Sequence, residues 1–213
     1  LMYVYDNGIT DELIETIASE PKICNYIDMP IQHISDKVLD MMMRRSSGSS
    51  IKEVIGKLRD RIPDVHIRTT LLVGFPGETQ ADIDELIDFI DTYDIDRLGA
   101  FAFSDEEGTP SFDMPNKVPE GERRARRDLV MQHQQIVSER LNELKIGKVY
   151  EVMIDRCVEV DVLTLYEGRT RYDAPEIDCS VYFTSRNWEY APGDVVKVLI
   201  TDTYEYDLEG VEA

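Results

Sequence analysis

The chain has 213 residues, with 43 Asp and Glu against 23 Lys and Arg, a formal net charge of −20. Hydrophobic residues make up 42% and charged residues 31%, a globular composition with enough apolar area to offset chain entropy. No apolar run approaches the roughly 20 residues that span a bilayer, and the opening LMYVYDNGIT has neither a basic nor an apolar signal region, so a soluble cytoplasmic chain without a membrane partner is expected; its charge opposes phosphate backbones and favours a basic partner.

The first half changes period in a regular way. Thr10 is placed to cap a short helix with Leu13, Ile14 and Ile17 on one face, and residues 25–30 read as a strand stopped by Pro30. A second helix is predicted from Ser35, with Val38, Leu39 and Met42 spaced for burial, and a third from Ser49 or Ser50, with Ile51, Val54, Ile55 and Leu58. Residues 66–74 form a β run; Phe75, Pro76 and Gly77 make a turn, and Thr79 caps a helix carrying Ile83, Leu86, Ile87 and Ile90. Residues 97–104 are another strand. This βαβαβ-like order implies parallel strands with covering helices.

A proline-rich loop is expected over 106–121 and a long helix over 122–145, ending at Gly147. Beyond it, alternating segments at 150–158, 161–166, 181–183 and 195–203, with turns at Glu167-Gly168 and Pro192-Gly193, suggest a small antiparallel barrel of the five-stranded, OB-like size class. The chain thus divides into an α/β part, 1–146, and an all-β part, 147–213. Both are acidic: 17 Lys and Arg against 28 Asp and Glu in the first, 6 against 15 in the second.

Gly74 and Gly77, around Phe75 and Pro76, fall at the carboxyl end of a parallel strand, where α/β proteins gather ligands. They serve either as a cradle for a ligand or as a tight β-to-α turn. Gln32 and His33 follow another strand end and offer an amide and an imidazole at the same rim, unless they are ordinary structural residues. Met41, Met42 and Met43 read as helix packing. Arg123, Arg124, Arg126 and Arg127 are the one dense basic run, read as a solvated helix face paired with acids rather than an RNA contact. Asp173, Glu176 and Asp178 lie in an acidic loop that either docks a basic partner or is simply solvated. Cys24, Cys157 and Cys179 form no CxxC or CxxxCxxC arrangement; each reads as a small buried hydrophobe, and no metal is assigned.

Several ordered motifs together carry a resemblance: YIDMPIQH at 26–33, VLDMMMR at 38–44, TLLVGFPGET at 70–79, FSDEEGT at 103–109, DAPEID at 173–178 and EYDL at 205–208. The chain resembles the radical S-adenosylmethionine (SAM) methylthiotransferases over essentially its whole length, and within them the members that modify an aspartate of ribosomal protein S-twelve. The resemblance implies a partial, open radical SAM (β/α) barrel, TIM-barrel-like, with a long trailing helix, and then a TRAM domain. Its start, Leu1 to Tyr5, would fall near the family's third barrel strand.

The family carries three cluster-binding cysteines in a preceding domain and a CxxxCxxC motif early in its barrel, and neither is in this chain. What the resemblance implies is therefore S-adenosylmethionine and two [4Fe-4S] clusters in the longer protein, ligated by cysteines absent here, with no turnover from this chain alone. In such an enzyme a reduced cluster cleaves S-adenosylmethionine, and the 5′-deoxyadenosyl radical abstracts hydrogen from the β-carbon of the target aspartate. Gly74, Phe75, Pro76 and Gly77 would shape the nucleotide pocket; Gln32, His33 and Arg68 would be polar groups near its ribose or carboxylate, Arg68 pairing with the methionine carboxylate or else with a structural acid. Asp173, Glu176 and Asp178 would recognise substrate. The acidic terminal barrel favours a basic ribosomal protein over tRNA, the substrate of close relatives; a non-catalytic binding module is the other alternative. An open barrel edge also invites pairing with a second copy.

Overall fold

A computed structural model describes residues 1–160, 163–187 and 189–213. Two compact units divide them, Leu1–Val137 and Ser138–Ala213.

The first unit is built on a parallel sheet of β1 (Tyr26–Asp28), β2 (His66–Val73) and β3 (Arg97–Ala102), in that spatial order. Helix α1 (Asp11–Ser19) precedes β1, α2 (Asp36–Met41) and α3 (Gly48–Arg61) lie between β1 and β2, and α4 (Gln80–Tyr93) lies between β2 and β3. Side chains alternate along β2: Ile67, Thr69, Leu71 and Val73 are buried, whereas His66, Arg68, Thr70 and Leu72 are half-buried. The buried row belongs with Ile14 and Ile17 of α1, Ile51, Ile55 and Leu58 of α3, and Ile83, Leu86, Phe89 and Ile90 of α4, all almost fully buried.

The helix starts follow capping chemistry. Thr10 Oγ1 accepts from the Leu13 N–H at 3.2 Å. The third helix begins earlier than the sequence reading placed it, because Ser47 caps it and forms a reciprocal capping box with Ser50. At α4 the Asp82 carboxylate accepts from both the N–H and the hydroxyl of Thr79, at 2.8 and 2.6 Å. Ser35 precedes α2, but its hydroxyl is spent on Asp82 of α4 at 2.7 Å instead of a cap.

Residues 1–4 lie along β1 through Leu1 N to Tyr26 O, Asp28 N to Leu1 O and Val4 N to Asp28 O, each 2.9 Å. They form no regular strand, since Tyr3 sits at φ 58°. The expected pairing edge at β1 is thus covered by the chain itself, while β3 has no strand beyond it among the described residues.

The proline-rich loop contains a short 3₁₀ turn, Pro110–Asp113, and α5 runs Glu120–Glu143, two residues earlier at each end than expected. Its buried positions Arg123, Arg126, Val130, Gln134 and Val137 recur at three- and four-residue spacing.

The second unit closes as a five-stranded barrel in the order β4 (Val149–Val160), β5 (Thr164–Thr170), β6 (Val181–Ser185), β8 (Leu208–Glu212), β7 (Val195–Thr203). Its core is Val152, Ile154, Tyr166, Val181, Phe183, Val196, Val198, Ile200 and Leu208. Three features differ from the sequence reading. The barrel is not wholly antiparallel, because β8 pairs parallel with β6. Glu167-Gly168 is no turn but lies inside β5, where Gly168 permits a close crossing: a Cβ there would stand 2.4 Å from the Met153 carbonyl oxygen. Strand β8 had no strand assigned to it. The segment expected at 161–166 is seen as β5 from Thr164; residues 161–162 lie outside those described. Cys24 and Cys157 are exposed and Cys179 half-buried, so the buried-hydrophobe reading of the cysteines does not hold.

Candidate functional site

Pro30 interrupts the ladder just past β1, and the repair of that break shapes the rim of the sheet. Thr69 Oγ1 accepts from the Ile31 N–H at 3.2 Å and donates to the Met29 carbonyl at 2.8 Å, which fills the gap where proline has no donor. Pairing then resumes at Gln32, whose N–H donates to Thr70 O and whose carbonyl accepts from Leu72 N. Gln32 adopts φ 68°, a left-handed turn that directs the chain away from the sheet.

Beside it a pocket of about 300 Å³ opens at the carboxyl end of the strands. Its walls are Leu72, Phe75, Phe103, Met41, Met42 and Met114, with Gln32, Arg44 and Ser111 as polar groups at the rim. Val38, Phe75 and Phe103 are the buried floor of this cluster, and the two rings meet edge to face, 5.1 Å between centroids. The volume and the apolar wall with few polar groups match a small-molecule site. The three methionines pack as expected only in part: Met41 and Met42 are half-buried against the cluster, and Met43, at φ 57° past the end of α2, is exposed.

The sequence-selected residues are not all in this pocket. Phe75 and Gln32 line it. Gly74, at φ +80°, donates its N–H to both oxygens of Glu78, at 2.8 and 2.9 Å, and a Cβ on it would stand 2.5 Å from Arg123 Cγ. Pro76 is buried, and Gly77, at φ +85°, donates to the Asn116 carbonyl at 2.9 Å and leaves room for Met41. These glycines make the turn that holds Phe75 in place.

His33 is fully buried. Its Nδ1 accepts from the Ser35 N–H at 3.0 Å, so the ring proton sits on Nε2, which faces Glu78 Oε2 at 3.6 Å, beyond hydrogen-bond distance. Burial, with Lys37 and Arg126 nearby and partly offset by Asp82, lowers its pKa to about 4. The imidazole is therefore neutral at pH 7, and its contact with Glu78 is not an ion pair. Burial also raises the Glu78 pKa, opposed by the Gly74 N–H and by Arg126. Burial pushes Asp82 upward too, yet hydrogen bonds from Lys37, Thr79 and Ser35 hold it well below the usual carboxylate range.

Arg68 is on the half-buried face of β2 and is paired with Asp28 Oδ1 at 2.9 Å; the other Asp28 oxygen accepts from the Tyr3 N–H at 3.1 Å. Asp28 is fully buried. In the second unit, Asp173 accepts from the Thr170 hydroxyl at 2.6 Å and Asp178 from the Ala174 N–H at 2.8 Å, so both build their own loop, while Glu176 is exposed at φ 62°.

Two residues missed as site candidates are Arg123 and Arg126, and the reading of the whole basic run as solvated is corrected. Arg124 and Arg127 are indeed outside and paired with acids, but Arg123 and Arg126 are buried. Arg126 Nη1 donates to Glu78 Oε1 at 2.8 Å and to the Glu78 carbonyl at 3.2 Å; its Nη2 reaches Glu122. Arg123 donates to the carbonyls of Val118 and Phe103 and pairs with Asp105 at 2.8 Å. Their three-residue spacing, in phase with Val130, Gln134 and Val137, was the available signal.

Among the described residues no three His, Cys, Asp or Glu side chains gather into a group that could hold a metal ion. No helix among them is long and apolar enough to cross a membrane.

Residues 2–90 match the radical SAM superfamily and residues 146–212 the TRAM domain. The chain is 47% identical over 210 residues to a Clostridioides difficile protein named ribosomal protein uS12 methylthiotransferase RimO, and 48% identical over 208 residues to the protein of that name from Trichlorobacter lovleyi. These alignments cover 99% and 98% of this chain but 46% of each relative, so the chain spans about half the length of the curated relatives it matches. A solved structure of archaeal Elp3 from Methanocaldococcus infernus superposes with a TM-score of 0.50 at 12% identity, over 84% of this chain and 59% of that one, a likeness of fold alone. An open α/β sheet that matches the radical SAM superfamily model, followed in the chain by a barrel that matches the TRAM domain model, is thus similar over nearly its whole length to about half of each of these methylthiotransferases.

Proposed function

We propose that the chain is the SAM-pocket and partner-docking portion of a methylthiotransferase that modifies an aspartate of a basic ribosomal protein. The observation that carries this reading is the apolar pocket at the carboxyl rim of the parallel sheet, in a chain nearly half identical to proteins named for that activity.

The residues present fit the nucleoside of S-adenosylmethionine. Phe75, Leu72 and Phe103 offer an apolar wall for a flat base, Met41 and Met114 close its sides, and Gln32 and Ser111 supply hydrogen-bonding groups at the rim. When bound, S-adenosylmethionine supplies hydrogen-atom abstraction from an unactivated C–H bond. This chain's residues bind and orient it and keep water from its apolar side. The clusters that complete the chemistry would be held by cysteines outside this sequence, and we expect no turnover from the chain by itself.

The partner reading rests on charge. The barrel region, 147–213, has 6 Lys and Arg against 15 Asp and Glu, which complements a basic protein and repels phosphates. The test is the intact mass of ribosomal protein S-twelve from cells with and without the full gene. A methylthio increment that disappears with the gene supports the reading. An unchanged mass overturns it and directs the search to methylthio-adenosine in hydrolysed tRNA; neither product would leave a binding module.

A further inference from the structure

Two side chains with no exposed surface, His33 and Glu78, stand in the turns that carry Gln32 and Phe75 to opposite strand ends. Each is tied to its own turn by the backbone. His33 Nδ1 accepts from the Ser35 N–H, which fixes the ring on the chain just past the left-handed Gln32. Glu78 accepts from the Gly74 N–H with both oxygens, and its own N–H donates to the Phe75 carbonyl at 3.0 Å. The backbone ladder between β1 and β2 ends in the bridge of Gln32 with Leu71, so past that point the two turns face each other through side chains.

One group in this contact is unmatched. The Nε2–H of His33 has no hydrogen-bond partner among the described residues, and Glu78 Oε2 stands 3.6 Å from it. A buried donor without an acceptor is a standing cost to the fold, and an approach of about 0.7 Å would bring this pair to an ordinary N–H···O length. The rest of the cluster is already matched: Asp82 accepts from Ser35, Lys37 and Thr79, and Arg126 donates to the other Glu78 oxygen. Burial keeps the imidazole neutral, so the donor can meet the carboxylate without a second charge being taken into the interior.

We propose that His33 is a positioning residue for the pocket: its Nε2–H, given to Glu78, sets the separation of the Gln32 and Phe75 turns, and a ligand held between them closes the 3.6 Å gap. This deepens the nucleoside reading of the pocket and rests on it for the ligand, though not for the contact itself.

The two ring nitrogens can be tested apart. In His33→Asn the amide oxygen takes the place of Nδ1 and keeps an acceptor for Ser35; in His33→Gln the amide nitrogen reaches the place of Nε2 and keeps a donor toward Glu78. The 213-residue chain and both variants are titrated calorimetrically with S-adenosylhomocysteine, and hydrogen exchange of the amides of residues 74–78 is followed by mass spectrometry, with thermal unfolding as the check on folding. His33→Gln is expected to bind within about twofold of the unmodified chain, and His33→Asn about tenfold more weakly, with faster exchange at 74–78. The reverse ranking means that the ring serves only the Ser35 turn, and it overturns the proposal. Equal losses in both variants, or none in either, overturn it too. Should the unmodified chain bind no S-adenosylhomocysteine, the nucleoside reading fails, and exchange in the free protein decides His33: faster in His33→Asn than in His33→Gln supports its role, and equal rates overturn it. If neither variant folds, the ring ¹H–¹⁵N spectrum of the unmodified chain decides, with His66 and His133 assigned by substitution. An Nε2–H signal of His33 that is protected and shifts on adding S-adenosylhomocysteine supports the role, and one that exchanges freely or does not move overturns it.

Discussion

Arg123 and Arg126, one helical turn apart on α5 and each 7% exposed, tie down the two strand ends that carry Phe103 and Phe75. Arg123 takes the strand β3 side through the Phe103 carbonyl and Asp105, and Arg126 takes the β2 side through Glu78. The position of the pocket floor therefore depends on a helix that follows the sheet in sequence.

Removing the cation from the Arg126–Glu78 pair leaves a buried carboxylate without its partner. Arg126→Met is expected to destabilise the first unit by about 3 kcal/mol, while the double change Arg126→Met with Glu78→Gln costs less than the sum of the singles. Urea unfolding of the four variants closes the cycle; strictly additive values would mean that the pair is not coupled.

The same reasoning separates Arg68 from ligand binding. Because Arg68 neutralises the buried Asp28, Arg68→Met should cost about 3 kcal/mol or more and should leave the affinity for S-adenosylhomocysteine within about twofold of the unmodified chain. A large loss of affinity at unchanged stability would return Arg68 to the site.

The buried histidine gives the first unit an acid sensitivity. Its pKa falls from 6.5 to about 4 on folding, so below pH 6.5 the unfolded chain takes up a proton that the folded chain refuses. Stability is full above pH 6.5, declines by up to about 1.4 kcal/mol per unit as pH falls toward 4, and loses nothing further from this group below that. Glu78, whose pKa is raised, works in the opposite sense in the acid range. His33→Asn keeps an acceptor for the Ser35 N–H and should flatten the curve between pH 6.5 and 4. Unfolding midpoints across that window would show it, and an identical slope in the variant would count against His33 as the source.

The two turn glycines should differ in tolerance. Both backbones are left-handed, but an added Cβ at Gly74 also meets the aliphatic stem of Arg123 at 2.5 Å, whereas at Gly77 it meets the flexible end of Met41, Sδ at 2.9 Å. The second is expected to cost about 1–2 kcal/mol and the first about 3 kcal/mol or more, measured by chemical denaturation of the purified chains.

Much of this architecture can be read in the sequence, for identifiable reasons. Alternation in β2 and three- and four-residue spacing in α1, α3 and α4 reflect burial on one side, which is what periodicity reports. What escaped was set by contacts distant in sequence. Gly168 looks like a turn residue, but it lies inside a strand because another strand crosses at that point. Strand β8, with the sequence LEGVE, is too short and too acidic to announce itself. In the site, Phe75 and Gln32 were legible as rim residues, yet the fate of each charge was not: Arg44, Arg68, Arg123 and Arg126 are the same residue type, and only the fold says which acids lie within reach.

The order of strands around the barrel has a bearing on how the protein is made. The ring is sealed by β8, inserted between β6 and β7, and it is made after the other four strands of the barrel. Until residues 208–212 emerge, β6 and β7 each expose a free edge, and backbone groups on both can pair with other chains. A stop or a nick just before Leu208 would remove only a few side chains from the core but turn a closed ring into an open sheet, so its effect on solubility should far exceed its effect on buried area.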